Sequence, residues 1–173
     1  MKEEIYVSFI EYNNWNMFLA ATEKGLCYLS SQVNTVNDAQ MQLKKYLQNF
    51  TIQESDSKTI LYKKQLIEYL EGKRRQFDIP LDLYGTPFQQ LVWKSLLEIP
   101  YGETTTYQDI GNKIGKTTAV RAIGNAIGKN PLLIVIPCHR VIRKNGDLGG
   151  FREGLDLKRT LLELERKVNN SSQ

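Results

Sequence analysis

Cys138 and His139 stand side by side in the tetrad Pro137-Cys138-His139-Arg140, and His139 is the only histidine of the 173 residues. A thiolate is the strongest nucleophile among ordinary side chains, and its reactivity depends on what lowers the thiol pKa. A thiol flanked by an imidazole and a guanidinium is therefore a candidate reactive centre. The tetrad follows an apolar run at 132–136, Leu-Leu-Ile-Val-Ile, whose branched residues predict a buried strand with the thiol at its end. Buried cysteines are commonly inert core fillers, so this pair needs support from elsewhere in the chain. Adjacent strand residues point to opposite sides, so joint action of Cys138 and His139 requires a bridging water or a sharp turn after Pro137.

The elements that must position this centre are legible around it. Thr86-Pro87-Phe88-Gln89 has an N-cap, a proline at the first helical position and a capping-box glutamine, with Phe88, Leu91, Val92 and Leu96 as an apolar stripe. Thr106-Tyr107-Gln108-Asp109 opens a short helix that Gly115-Lys116 breaks. A second short helix runs from Thr117 or Thr118 to about Lys129. Two short helices around a glycine-containing turn are a helix-turn-helix candidate. In the second helix Val120, Ile123 and Ile127 form the apolar stripe. The opposite face reads Arg121, Gly124, Asn125, Gly128, one long cation among small residues. Each interior glycine costs about 1 kcal/mol relative to alanine. Either close packing within the protein or close approach of a bulky partner would account for that cost. A final helix with Leu157, Leu161, Leu164 and Val168 inward carries Glu165, which by itself reads as a solvated glutamate.

The first half reads differently. Residues 5–10, 17–21 and 26–29 predict an antiparallel meander turning at Asn13-Asn14. Asp38 is expected to cap a helix with Met41, Leu43, Tyr46, Leu47 and Phe50. A second helix from about Ser57 carries Ile60, Leu61, Leu66, Ile67 and Leu70 and stops near Gly72. Residues 77–81 are expected to form a short edge strand. Nothing in residues 1–80 looks catalytic, and Cys27 is most simply a strand residue.

Charge divides the chain in the same place. Residues 1–85 hold 10 Lys+Arg and 11 Asp+Glu, whereas residues 86–173 hold 13 and 8. The excess of cations lies in the half with Cys138, which fits a polyanion partner such as nucleic acid, or simply a basic, soluble surface. No stretch approaches the ~20 apolar residues of a membrane span. Met1-Lys2-Glu3-Glu4 is not a signal peptide, so two cysteines suggest a reduced, cytoplasmic setting.

Taken together, five ordered blocks resemble the methylated-DNA–protein-cysteine methyltransferases, also called 6-oxo-alkylguanine-DNA alkyltransferases. They are Gly102-Glu103-Thr104-Thr105-Thr106-Tyr107, Ala119-Val120-Arg121-Ala122-Ile123-Gly124, Asn130-Pro131, Ile136-Pro137-Cys138-His139-Arg140-Val141-Ile142, and Gly154-Leu155 with Leu161-Leu162-Glu163-Leu164-Glu165. The resemblance implies an α/β (α+β) chain. A ribonuclease-H-like N-terminal domain would span 1–81, a linker 82–85, and a helix-turn-helix (winged-helix-like) DNA-binding and active-site domain 86–168, with a polar tail at 169–173. It implies single-turnover removal of the alkyl group from 6-O-alkylguanine, and from 4-O-alkylthymine, in double-stranded DNA, with no cofactor, in a monomer.

Residue roles follow from the same resemblance. Cys138 would be the acceptor, His139 would take its proton through a water, and Glu165 would orient His139, the logic of a triad. Chemistry on a paired base requires flipping it out of the stack. Arg121 would fill the gap, Tyr107 would press on the target phosphate and hydrogen-bond the guanine, and Thr106, Gly124, Asn125 and Gly128 would face DNA in the minor groove. Asn130 would brace the loop before the tetrad, while Val141, Phe151 and Arg152 would line the base pocket. Phe151, Arg152 and Glu153 depart from better-known members, where tyrosine, serine, and glycine or tryptophan are found. Two cysteines and one histidine are too few for a closed Cys/His metal site. Three rivals remain at this level. One is a lesion-binding module of the alkyltransferase-like type, which usually has tryptophan in place of the cysteine. The others are a helix-turn-helix regulator, which would carry several base-reading side chains, and a cysteine hydrolase, for which no oxyanion hole is identifiable.

Overall fold

Asn13, in a left-handed conformation (φ 50), turns the chain between strands β1 (Glu3–Tyr12) and β2 (Trp15–Ala21), which pair antiparallel from Tyr12↔Trp15 to Tyr6↔Ala21. Strand β3 (Leu26–Ser30) adds to β2, completing the expected meander. In this computed structural model, which describes residues 1–172, the chain divides into two units that meet between Tyr84 and Gly85.

The first unit departs from the sequence reading in one instructive stretch. Thr35, rather than Asp38, is the N-cap of helix α1 (Val36–Leu43), and Asp38 is the N3 partner of its capping box. The helix stops before Tyr46 and Leu47. Asn49 takes φ 54, and Phe50 begins strand β4 (Phe50–Glu54), which pairs parallel to β1. The spacing of Met41, Leu43, Tyr46, Leu47 and Phe50 fits one helical face, but the vacant edge of β1 captures the last of them. The sheet order is β3-β2-β1-β4. Helix α2 (Asp56–Leu70) is capped by Ser55 and buries Leu66, Tyr69 and Leu70, while Ile60 and Leu61 remain exposed. The unit's core gathers Ile5, Val7, Phe18, Tyr28, Val33 and Leu43.

Residues 77–81 form no edge strand. Only Leu81 pairs, as a single bridge with Leu26. Residues 82–84 are not a free linker either. Asp82 donates its N–H to Leu26 and accepts from Thr22 Oγ1 at 2.6 Å, and the Tyr84 hydroxyl donates to Glu3 at 2.9 Å.

The second unit opens with helix α3 (Pro87–Leu96), whose Thr86/Gln89 capping box is formed as the sequence predicts. Trp93 is fully buried and donates its Nε1–H to the Ala126 carbonyl at 2.8 Å, whereas Leu91 is exposed. A short strand β5 (Thr105–Thr106) leads into helix α4 (Tyr107–Lys113), and Gly115 (φ 69) turns the chain toward helix α5 (Val120–Gly128). Helix α5 starts later than expected, after Ala119, with no side-chain cap. A 3₁₀ turn (Cys138–Arg140) is followed by strand β6 (Val141–Ile142), which runs parallel to β5. Helix α6 (Leu155–Ser171) closes the unit. It absorbs most of the expected polar tail: Asn169 is helical and donates Nδ2–H to the Tyr101 carbonyl at 3.1 Å, and only residue 173 lies outside the described residues.

Candidate active site

The run at 132–136 is buried as expected, but it is a pair of turns rather than a strand. Ile134 holds φ 69, and Val135 donates to the Leu133 carbonyl at 2.7 Å. That is the rare positive-φ γ-turn, here built on a β-branched residue. Pro137 (φ −80, ψ 60) centres a second tight turn, of inverse-γ type, with Cys138 N–H donating to the Ile136 carbonyl at 2.7 Å. An apolar run enclosed on all sides looks the same from the sequence whether it is strand or turn.

Asn130 holds these turns together. Its Oδ1 accepts from Leu132 N–H at 2.9 Å, and its Nδ2 donates to the carbonyls of Leu132 and Ile136. The same amide donates to Cys138 Sγ at 3.1 Å. Asn130 thus ties Leu132 and Ile136 together and also touches the thiol directly.

The 3₁₀ turn resolves the alternation problem. Successive side chains in such a turn are about 120° apart rather than opposed. His139 is fully buried and its Nε2 lies 2.8 Å from Glu165 Oε1. Glu165, 1% exposed, also accepts from Arg140 Nε at 2.9 Å, Arg140 Nη2 at 2.7 Å and Gly102 N–H at 3.1 Å. Arg140 Nη1 donates to the Ile99 carbonyl at 2.6 Å. Gly102 (φ 79) has no room for a side chain, since a Cβ would lie 1.8 Å from Asn169 Nδ2.

Protonation follows from these surroundings. Burial pushes the Cys138 thiol up, and the Asn130 hydrogen bond and the charges of Arg152 and Lys158 counter only part of the rise. Burial holds His139 below the usual imidazole range despite Glu165. Burial would raise Glu165, but hydrogen bonds from His139 and Arg140 reverse that and bring it down to about 2. The resting centre is therefore a neutral thiol, a neutral imidazole and a carboxylate. With Nε2–H directed at the carboxylate, Nδ1 is the ring atom left to take up a proton.

The thiol opens into a cavity of about 280 Å³ lined by Tyr107, Gly124, Ile127, Gly128, Asn130, Leu133, Cys138, Arg143, Gly150, Phe151, Arg152 and Glu153. The lining thus draws on α4, α5, the turns before Cys138 and the 149–153 segment. Val141, expected in the pocket, is instead fully buried in β6 and outside this lining, because its strand pairs with β5. Thr106 is the N-cap of α4: its Oγ1 accepts from Asp109 N–H and donates to Asp109 Oδ2. Burial pushes the Tyr107 hydroxyl up, opposed by the charge of Arg143. Gly149 (φ 73) must stay small, since a Cβ there would lie 2.8 Å from that hydroxyl.

Arg121 and Asn125 are exposed on α5 and do not line the cavity. The two α5 glycines are not packing devices. A Cβ on Gly128 would meet nothing within 4 Å, and one on Gly124 would meet only the Tyr107 ring at an ordinary 3.9 Å.

Two residues escaped the sequence reading. Lys158 is fully buried, and its Nζ donates to the carbonyls of Val141 (2.6 Å), Leu148 and Gly150 (3.3 Å), tying the cavity wall to the segment leaving the nucleophile turn. Burial brings it down to about 8. Within the inward stripe of α6 it reads as an ordinary surface lysine, and nothing local marks it. Arg143 also lines the cavity, and nothing in the surrounding sequence marks it. Among the described residues, no cluster of three or more His, Cys, Asp or Glu side chains could hold a metal ion.

Comparison with known proteins identifies the family. Residues 87–167 match the family model of the 6-O-methylguanine DNA methyltransferase DNA-binding domain, and residues 5–83 that of its ribonuclease-like domain. The chain belongs to the methylated-DNA–protein-cysteine methyltransferase family. The inducible methyltransferase of this family from Bacillus subtilis is 44% identical over 169 residues, 98% of this chain and 94% of that protein. A crystal structure of Mycobacterium tuberculosis OGT in complex with DNA superposes with a TM-score of 0.78 at 38% identity, covering 95% of this chain and 94% of that one. The O6-methylguanine-DNA methyltransferase of Pyrococcus kodakaraensis shares the fold, with a TM-score of 0.66 at 24% identity over 93% of this chain and 98% of its own.

Proposed function

We propose that this methyltransferase repairs double-stranded DNA by single-turnover transfer of the alkyl group of 6-O-alkylguanine, and of 4-O-alkylthymine, to Cys138. The observation that carries the reading is the Cys138 thiol at the wall of a cavity, followed in sequence by a buried imidazole that is hydrogen-bonded to the buried Glu165 carboxylate. The thiol proton passes through a water to His139, whose imidazolium Glu165 stabilises. Sulfur attacks the alkyl carbon, an S–C bond forms, and the C–O bond breaks with its electron pair leaving on the base. Tyr107 supports that leaving group by hydrogen bonding to the base, and the base regains a proton from solvent or from the imidazolium. The thioether has no route to hydrolysis, so each molecule reacts once and needs no cofactor.

Base flipping is the step that the surface of α5 supports. Arg121 fills the gap in the stack, and the open space over Gly124 and Gly128 allows the helix to lie close in the minor groove beside Asn125. All the proposed reacting groups come from one chain, so the transfer needs no residue from a second copy. Cys27 and Cys138 are free thiols, which suits the reducing cytoplasm. No helix among the described residues is long and apolar enough to cross a membrane.

Intact-mass measurement after incubation with duplex DNA carrying methylated guanine tests the reading. The expected result is a gain of one methylene, mapped to Cys138 and absent in Cys138→Ser. An unmodified protein that still binds the lesion would instead identify a recognition module.

A further inference from the structure

Two arginines line the cavity, and they differ in how they are held. Arg152 is engaged by Glu153 at 3.0 Å, whose carboxyl side chain is 1% exposed. The Arg143 guanidinium is exposed and has no hydrogen bond or ion pair among the described residues. Its backbone, in contrast, is fixed. Arg143 N–H donates to the Asp147 carbonyl at 2.8 Å, and Gly146 N–H donates to the Arg143 carbonyl at 2.9 Å. The turn is braced further by the Asn145 side chain, which donates to Asp147 Oδ2 and accepts from Asp147 N–H. A braced turn therefore presents an exposed guanidinium to a cavity that Tyr107, Gly124 and Gly128 also line.

We propose that Arg143 is a further substrate-binding residue, which holds a backbone phosphate beside the flipped nucleotide. A base enters such a cavity edge first, so its sugar and phosphates remain at the mouth, where Arg143 stands. A guanidinium fork matches two phosphate oxygens at once, and an exposed cation with no side-chain partner among the described residues has no protein contact to break on engaging them. Arg143 and Tyr107 line the same cavity, so both face a nucleotide that enters it. Arg121 acts on the gap left in the duplex, whereas Arg143 acts on the nucleotide that has left it.

This inference rests on the base-flipping reading above, and the experiment separates the two. Wild type, Arg143→Ala and Arg143→Lys are compared for affinity to methylated-guanine duplex, for the rate of Cys138 alkylation at saturating duplex, and for reaction with the free modified base. Arg143→Ala should bind the duplex roughly tenfold more weakly, with the slope of log affinity against log salt reduced by about one. Its rate at saturation and its reaction with free base should stay near wild type, and Arg143→Lys should recover part of the affinity. Neutral methylphosphonates at the phosphates flanking the target should bring wild type down to the level of Arg143→Ala. Unchanged duplex affinity in Arg143→Ala would overturn the assignment. So would an equal loss on free base, or a gap between the proteins that persists on methylphosphonate DNA. A wild-type protein that gains no alkyl group from the duplex would instead overturn the flipping-and-transfer reading itself.

Discussion

The two units bury polar groups of different kinds. In the first, the buried polar residues are Ser8, Thr22, Ser30, Thr59 and Gln65, none of them charged. In the second they include His139, Arg140, Lys158 and Glu165. Removing an ion from water costs several kcal/mol even after relaxation, and apolar replacements often stabilise a fold more. The first unit is thus organised for stability, with a core of Phe18, Tyr28 and their neighbours. The second accepts buried charge where chemistry needs it, within one turn and one face of α6. Exposed ionic pairs occur in both units, as in Lys58–Glu23 and Arg159–Asp156, and contribute little.

The largest expected effect falls on the charged network. Glu165→Gln leaves Arg140 buried without its counter-ion and should cost roughly 3–5 kcal/mol of stability, together with most of the transfer activity. Denaturant melts and Cys138 alkylation rates would check both losses, and a fully stable, active variant would break the contrast. Acid sensitivity follows from the same group. Its carboxyl is depressed to about 2 in the fold, so its contribution is complete above the unfolded value of 4.5 and disappears as pH falls toward 2. Acid-unfolding curves of wild type and Glu165→Gln should therefore converge at the bottom of that window.

Phe18→Ala should also cost roughly 3–5 kcal/mol, because the ring is fully buried. Below its melting point, however, alkyl transfer per folded molecule should match wild type. A transfer defect at full folding would show that the first unit does more than support itself. Arg121→Ala is expected to leave stability within about 0.5 kcal/mol, as exposed substitutions do, yet to impair repair in duplex DNA more than reaction with free base. Equal loss on both substrates would remove the flipping role. The smallest effect has the opposite sign. Gly124→Ala should stabilise the free protein by about 0.5–1 kcal/mol, since the added methyl meets only an ordinary contact, while weakening duplex affinity. A variant that is both more stable and tighter on DNA would contradict the idea that this face is kept open for a partner.

Much of this organisation is legible in the sequence, where local chemistry determines it. The Thr86/Gln89 capping box, the Asn13 turn and the inward stripe of Leu161 on α6 all depend on neighbours within a few residues. Phe50 and Ile134 were misread because distant partners decide their conformation. The edge of β1 recruits the first, and the Asn130 amide and surrounding core hold the second in a turn. Cys138 and His139 stand out by their own chemistry and their adjacency, whereas Glu165 is marked only by the family resemblance and is invisible from its own surroundings. Lys158 and Arg143 resisted detection for opposite reasons. The value of Lys158 lies in three carbonyls that no sequence pattern announces. The interest of Arg143 lies in a guanidinium with no partner among the described residues, which no sequence pattern announces either.

Helix α5 has nine residues, two glycines and no side-chain cap at Ala119. Such a helix sits low on the ladder of local opening free energies, since its anchors are only the buried Ile123, Ala126 and Ile127 and the hydrogen bond from Trp93 to the Ala126 carbonyl. Its backbone amides should exchange with deuterium sooner than those of α3, which has a full capping box and a buried tryptophan. Docking on a lesion would quench that exchange. The segment proposed to meet DNA would then report occupancy through its own protection pattern, before any alkyl group has moved.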